Sequence, residues 1–218
     1  MAREQRPESP DPERVIRVLE PLVTVARRER LREVIARRIS SVVVVLDAPY
    51  DPHNGAAVVR SCEAFGVQYL HVVERAGVRF AVARAVARGA EKWIDIVHHG
   101  HASSLVAWAR ESHTRLVAAD PDGELAPEDL APLPRLAIIV GNERDGIREP
   151  LARACVGRVR VPMRGFAQSL NMSVTAAVLL HAATRGRAGD LEPEHRVRLY
   201  ARGLYLSVPH AEDLLAGR

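Results

Sequence analysis

The chain has 218 residues and a mass of 24.0 kDa, enough to bury one full core with a small appendage. Its 47% hydrophobic and 27% charged content is that of an ordinary soluble protein. No apolar run is long enough to span a bilayer and the charged N-terminus lacks a signal core, so a cytoplasmic address without a membrane partner is expected. A net charge of +4 and a pI near 9.6 favour a polyanionic partner. The basic residues are almost all arginine, with Lys92 the only lysine. A GC-rich genome would produce that bias by itself, yet the guanidinium remains the side chain best suited to phosphate forks and base stacking. Cys62 and Cys155 show no Cys-x-x-Cys spacing and read as reduced, buried thiols.

Residues 1–12 hold three prolines, several charges and no apolar period, and should form a disordered tail. Residues 13–22 and 25–38 read as two short helices. The second places Arg27, Arg28, Arg30, Arg32, Arg37 and Arg38 beside an apolar stripe of Leu31, Val34 and Ile35. Six arginines offset by two glutamates suit either a solvated face or a helix that grips phosphates. From residue 42 strands and helices alternate. Strands are expected at 42–46, 69–73, 93–97, 116–119, 136–140 and 158–161. Helices are expected at 54–65, ending at Gly66, at 80–88, 103–111 and 149–154, and at 171–184 and 193–203. Residues 121–134 form a loop with four prolines, and residues 204–218 are weakly patterned. Such alternation predicts an α/β fold with a mostly parallel sheet covered by helices on both faces.

Three segments carry the chemistry. In residues 51–60, Asp-Pro-His-Asn-Gly makes a turn in which Asn54 is expected to cap the following helix. Arg60 lies further along that helix among Val58, Val59 and Cys62, on or beside the buried face, where it would need an anionic or polar partner. Residues 139–147 place Gly141-Asn142-Glu143-Arg144-Asp145-Gly146 directly after a strand, at the carboxyl edge of the sheet where α/β proteins bind ligands. This is neither a Walker loop nor Gly-x-Gly-x-x-Gly. In residues 161–173 a strand ends at Pro162, and Ser169 or Asn171 then caps an apolar helix whose free N–H groups could meet a ligand. The cluster His98, His99 and His101 has no carboxylate or cysteine at ligand spacing; it reads as a solvated strand end, with metal binding the lesser alternative.

In order and spacing these segments resemble the three motifs of the SpoU-type RNA ribose 2′-O-methyltransferases, of the trefoil-knot class. The resemblance spans roughly residues 27–185 and lies nearest the tRNA guanosine 2′-O-methyltransferases of the D-loop (guanosine 18), which share an arginine-rich helix before the first strand. Gly55 and Ala90-Glu91 depart from the family pattern. The resemblance implies a flexible extension over residues 1–25, a methyltransferase domain over 26–187 led by the arginine helix and ending in a deep C-terminal trefoil knot, and a helical extension over 188–218. It implies a homodimer with Arg60 of one subunit near the cofactor of the other. S-adenosylmethionine would be held by Ala119, Gly141, Val161 and Leu170, and no metal is required. Arg60, Asn54, Glu143, Ser169 and Asn171 take the catalytic positions, and Arg27, Arg28, Arg30, Arg32, Arg38 and Lys92 would contact tRNA.

The reaction so implied is attack of a ribose 2′-hydroxyl on a sulfonium methyl. A guanidinium stays charged at any physiological pH, so Arg60 is better suited to stabilise the developing alkoxide than to act as base, with a substrate phosphate taking the proton. Asn54 would orient Arg60, Glu143 would position the loop or the nucleotide, and Ser169 and Asn171 would fix the pocket. The competing readings are the same reaction on ribosomal RNA and an RNA-binding protein that keeps the fold without methylating.

Overall fold

In the computed structural model, residues 11–142 and 144–217 are described. The expected tail therefore lies almost wholly outside the described residues. Helix α1 (Pro12–Leu19) begins where the Asp11 carboxylate accepts from the N–H groups of Glu13 and Arg14. Thr24 caps α2 (Val25–Ala36) through the N–H of Arg27. Strand β1 (Ile39–Asp47) leads through a short loop to α3 (Pro52–Ala64), and Gly66, at φ 76°, turns the chain into β2 (Val67–Val73). The helix expected over residues 80–88 shrinks to α4 (Arg84–Ala87), because Phe80 leaves the helical path to lie on α3. Its ring sits where a Cβ on Gly55 would come within 2.4 Å, so glycine at that departure from the family pattern makes room for an aromatic.

Strand β3 (Asp95–His99) begins two residues later than expected, since Trp93 still belongs to the turn before it. The buried Gln68 fixes that start, its Nε2 donating to Trp93 O at 2.8 Å and to Asp95 Oδ2 at 2.9 Å. Then come α5 (Ala102–Glu111), β4 (Arg115–Ala119), β5 (Leu136–Val140), α6 (Glu149–Ala152), β6 (Gly157–Val159) and α7 (Met172–Thr184). The weakly patterned end is helical: α8 (Pro193–Ser207) runs past the expected stop and α9 (Ala211–Ala216) follows.

Among the described residues the six strands form one sheet in the order β3-β2-β1-β5-β4-β6, every pairing parallel. Its central strand shows why the sequence ran as continuous valine. Val42, Val44 and Leu46 face a core closed by Val58, Val59 and Cys62 of α3 and Ala176, Leu179 and Leu180 of α7. Val43 and Val45 face the opposite core with Leu105 and Ala109 of α5 and Leu151 of α6. With side chains alternating between two dry faces, every position must be apolar. Both cysteines are free thiols; Cys62 is buried and Cys155 only half-buried, yet burial pushes the Cys155 thiol up to about 12.

The chain divides into two units. Of the described residues, one unit spans 39–187 and contains the whole sheet; the other combines 11–38 with 188–217. The arginine helix therefore does not lead the sheet domain, as a boundary at residue 26 would have it, but packs with the C-terminal helices. Within that second unit α8 lies against α1 and α2, and the Arg38 carbonyl accepts from the N–H groups of Asp190 and Leu191. No helix among the described residues is long and apolar enough to cross a membrane.

Candidate active site

The loop after β1 is built by a different residue from the one expected. Asp51, not Asn54, caps α3: its carboxylate accepts from the His53 N–H at 2.8 Å, which holds the acid below its ordinary range. Proline at the first helical position needs no hydrogen bond, which moves the cap three residues upstream. Asn54 is thereby freed for another task. Its Oδ1 accepts from the Nδ2 of Asn171 at 3.0 Å, joining the first and third motifs across 117 residues of chain. Asn171 caps α7 with its other side-chain atom, Oδ1 accepting from Ser173 N at 2.8 Å and Ser173 Oγ at 2.7 Å. One amide thus fixes a helix start and reaches the neighbouring motif.

Arg60 is exposed, beside rather than on the buried face that its valine neighbours form. Six residues on from Asn54, it lies on a different side of α3, because six residues at 100° leave the two side chains about a third of a turn apart. Arg60 makes no ion pair or hydrogen bond among the described residues, so Asn54 does not orient it within one chain.

The second motif closes on itself. Asn142 N donates to Gly146 O and Gly146 N to Asn142 O, while the Asn142 Oδ1 accepts from the N–H groups of Arg144 and Asp145. A Cβ on Gly141 would stand 2.2 Å from the Gly146 carbonyl carbon, and Gly146 itself has φ 66°. Both glycines are therefore dictated by the backbone of this loop. Glu143 lies outside the described residues. A buried ion pair not foreseen from the sequence anchors the loop. Asp47, fully buried at the end of β1, accepts from Arg148 N at 2.7 Å, Nε at 2.8 Å and Nη2 at 2.5 Å. The same Nη2 reaches the carbonyls of Val73 and Glu74. A carboxylate ending an otherwise apolar buried run was the available signal, since such a charge needs a partner.

Sheet order brings the expected cofactor residues to one edge. β5, β4 and β6 are neighbours, and Gly141, Ala119 and Val161 lie at or just beyond their carboxyl ends. Leu170 and Ser169 belong to the exposed segment between β6 and α7, where Met163 and Leu170 are each 37% exposed and Phe166 is fully so. The set suits an adenosyl group: small residues leave backbone accessible, and the aliphatic side chains supply an apolar wall.

Of the three clustered histidines only His101 is solvated. His99 and His71 are buried, with His99 Nε2 at 2.9 Å from His71 Nδ1 and the His71 ring against Trp108. Burial lowers His71 to about 3 and His99 to about 4. His98 Nδ1 pairs with Glu74 at 2.5 Å. Among the described residues no group of three or more His, Cys, Asp or Glu side chains could hold a metal.

In the helical unit most of the expected RNA-contacting arginines already have partners. Arg30 and Arg37 pair with Glu33, and Arg32 pairs with Glu20, which also accepts from Tyr200 Oη. Burial together with that bond pushes Tyr200 up to about 12. Arg27 donates to Ser207 Oγ and remains exposed, as does Lys92 in the sheet domain. Arg38 is only 1% exposed, so it offers no surface to a phosphate.

The sequence profile of the SpoU rRNA methylase family matches residues 41–181. A tRNA (guanosine(18)-2′-O)-methyltransferase of Aquifex aeolicus is 30% identical over 171 residues, 78% of this chain and 81% of that protein. The crystal structure of the A. aeolicus TrmH/SpoU tRNA modifying enzyme superposes with a TM-score of 0.75 at 26% identity, covering 84% of this chain and 98% of that one. The SpoU methyltransferase AviRb of Streptomyces viridochromogenes, solved with AdoMet, gives 0.61 at 26% identity over 70% of this chain and 63% of its own. With its three motifs gathered on one edge of a parallel sheet, this chain belongs to the SpoU methylase family, on the branch that resembles the tRNA guanosine-2′-O-methyltransferases.

Proposed function

We propose that the protein methylates a ribose 2′-hydroxyl of tRNA, the D-loop guanosine 18 being the target, as a knotted cytoplasmic homodimer. The observation that carries this reading is the Asn171–Asn54 hydrogen bond at 3.0 Å, because it couples the third motif to the helix that bears Arg60. Gly141, Ala119, Val161 and Leu170 would hold S-adenosylmethionine, which supplies an electrophilic methyl group when bound.

The chain's own residues do the rest. Arg60 is an exposed cation, available to a site completed by a second protomer. Its guanidinium stabilises negative charge on the ribose oxygen as the 2′-proton leaves to a substrate phosphate. Asn54 and Asn171 hold the two motifs in register, Glu143 positions the nucleotide, and Ser169 lines the pocket. Support for the dimer comes from exposed apolar residues one turn apart on α7, Val174 at 47% and Val178 at 38%, with Leu170 before the helix 37% exposed. Arg27 and Lys92 are exposed cations outside the catalytic loops, available to tRNA, and Arg28 is half-buried.

The test is methyl transfer from labelled S-adenosylmethionine to tRNA and, separately, to ribosomal RNA, with the modified ribose mapped. Label in guanosine 18 supports the reading, label in ribosomal RNA moves the target, and no label removes the activity. Arg60→Ala and Arg60→Lys should both lose turnover while retaining cofactor affinity, since a point charge cannot replace the planar fork. Wild-type turnover in either would remove Arg60 from the chemistry.

A further inference from the structure

Three loops at the carboxyl edge of the sheet meet in a cluster that the roles given to the three motifs leave unused. Tyr50 follows β1, Arg75 follows β2 and Arg144 follows β5. These strands are neighbours in the order β2-β1-β5, which puts the tyrosine between the two arginines. The Arg75 guanidinium carbon lies 4.2 Å from the Tyr50 ring centroid and that of Arg144 lies 4.5 Å from it. Each arginine is set from behind. Arg75 starts a tight turn that bridges to Val78, and the Glu74 carboxylate holds it by accepting from Phe80 N at 2.8 Å. Arg144 is fixed by the Asn142 side chain, and Tyr50 Oη donates to Asp145 Oδ2 at 3.3 Å.

The arrangement holds two cations against one ring, with the Asp145 carboxylate at the ring's hydroxyl. The two guanidiniums are within about 9 Å of each other, on the order of one Debye length, so their repulsion is only partly screened. Neither forms an ion pair with a carboxylate among the described residues, and Arg144 is exposed with Arg75 half-buried. The ring attracts each cation through its face and restricts its rotation, so much of the ordering that a bound anion would require is already in place. Asn54 is four residues beyond Tyr50 in the chain, and Arg144 belongs to the loop of Gly141 and Gly146.

We propose that the Arg75–Tyr50–Arg144 stack is a docking site for the RNA backbone beside the target ribose, each guanidinium taking one phosphate. The inference rests on the RNA-methylation reading and deepens it by naming where the substrate strand is gripped. Arginine stacked on an aromatic at the mouth of a ligand-binding sheet edge matches the chemistry of a polyanion with phosphates at regular intervals.

The experiment is retention of an in vitro transcribed tRNA by the full-length protein across a salt series. Arg75→Gln/Arg144→Gln should lower the slope of log affinity against log salt by roughly 0.7 to 0.9 for each phosphate no longer neutralised. Tyr50→Ala, which removes the support, should weaken binding severalfold, whereas Tyr50→Phe keeps the ring and should recover most of that loss. In methyl transfer the defect should appear in KM for RNA rather than in kcat, a split expected of substrate binding. An unchanged slope in the double variant, with wild-type protein still transferring methyl groups, overturns the stack alone. A reduced slope without methyl transfer to any RNA supports the stack and removes the function reading. Failure of wild-type protein to retain tRNA overturns both.

Discussion

Replacing Asn171 by alanine and by aspartate separates two jobs that a single amide performs. Its Oδ1 caps α7 through Ser173 N at 2.8 Å, and its Nδ2 donates to Asn54 at 3.0 Å. Alanine removes both. Loss of an N-cap costs about 1 kcal/mol, and in a chain of this size that lowers Tm by roughly 2–4 °C. Aspartate keeps an acceptor for Ser173 N and adds negative charge at a helix start, worth about 0.3–1 kcal/mol, so its Tm should equal or exceed that of wild type. The bond to Asn54 disappears in both, since a carboxylate has no proton to give and sets oxygen against oxygen. A hydrogen bond worth about 0.5–1.5 kcal/mol corresponds to roughly a two- to tenfold fall in kcat/KM or in cofactor affinity. Calorimetric melting and titration with S-adenosylmethionine, followed by methyl transfer to RNA, read the two effects independently. Equal activity losses with opposite melting shifts are the expected pattern. Full activity in Asn171→Asp would refute the role given to the asparagine bridge, and unchanged melting in Asn171→Ala would refute the cap.

Asp47→Ala should destabilise the protein by about 3 kcal/mol, the lower end for breaking a buried pair because Arg148 retains access to water. Urea unfolding measures it, and a cost near zero would mean the clamp on the second-motif loop is structurally idle. Gly141→Ala should abolish cofactor binding, because its Cβ would fall 2.2 Å from backbone that cannot move aside; wild-type affinity by calorimetry would contradict the closed loop. The buried histidines have folded values of about 3 and about 4, below the ordinary 6.5. Because the unfolded chain binds these protons more readily, their contribution to stability is complete above pH 6.5. It falls as pH drops toward about 4, by up to about 1.4 kcal/mol per pH unit for each group. Unfolding curves at a series of pH values, compared with His71→Leu/His99→Leu, should show a flatter acid limb in the variant; identical limbs would mean the pair does not titrate as described.

The sheet and both flanking layers were legible in the sequence, because a strand buried on two faces can only be written in apolar residues. Residues 136–140 and the cap at Asn171 are cases where local chemistry alone suffices. Local reading failed where the deciding partner is distant in sequence. Proline at position 52 shifted the cap to Asp51, and Asn54, released from that task, met a residue 117 positions away. Arg60 was placed on or beside a buried face from its immediate neighbours, and only the docking of its helix against the sheet determines which side is solvent. The histidine run read as polar and exposed because His71, lying on another strand, cannot be seen in residues 98–101.

Composition and motif order by themselves determined the parallel α/β class and the family, and nominated the candidate site residues. What only the tertiary structure decided is which of those residues touch. The strand order β2-β1-β5 aligned Arg75, Tyr50 and Arg144, Asp47 found Arg148 at the far side of about a hundred residues, and α2 packed with the C-terminal helices instead of leading the sheet domain. Periodicity reports which face of an element is dry; it carries no information about which other element will dry it. That choice is made by the packing of the whole chain.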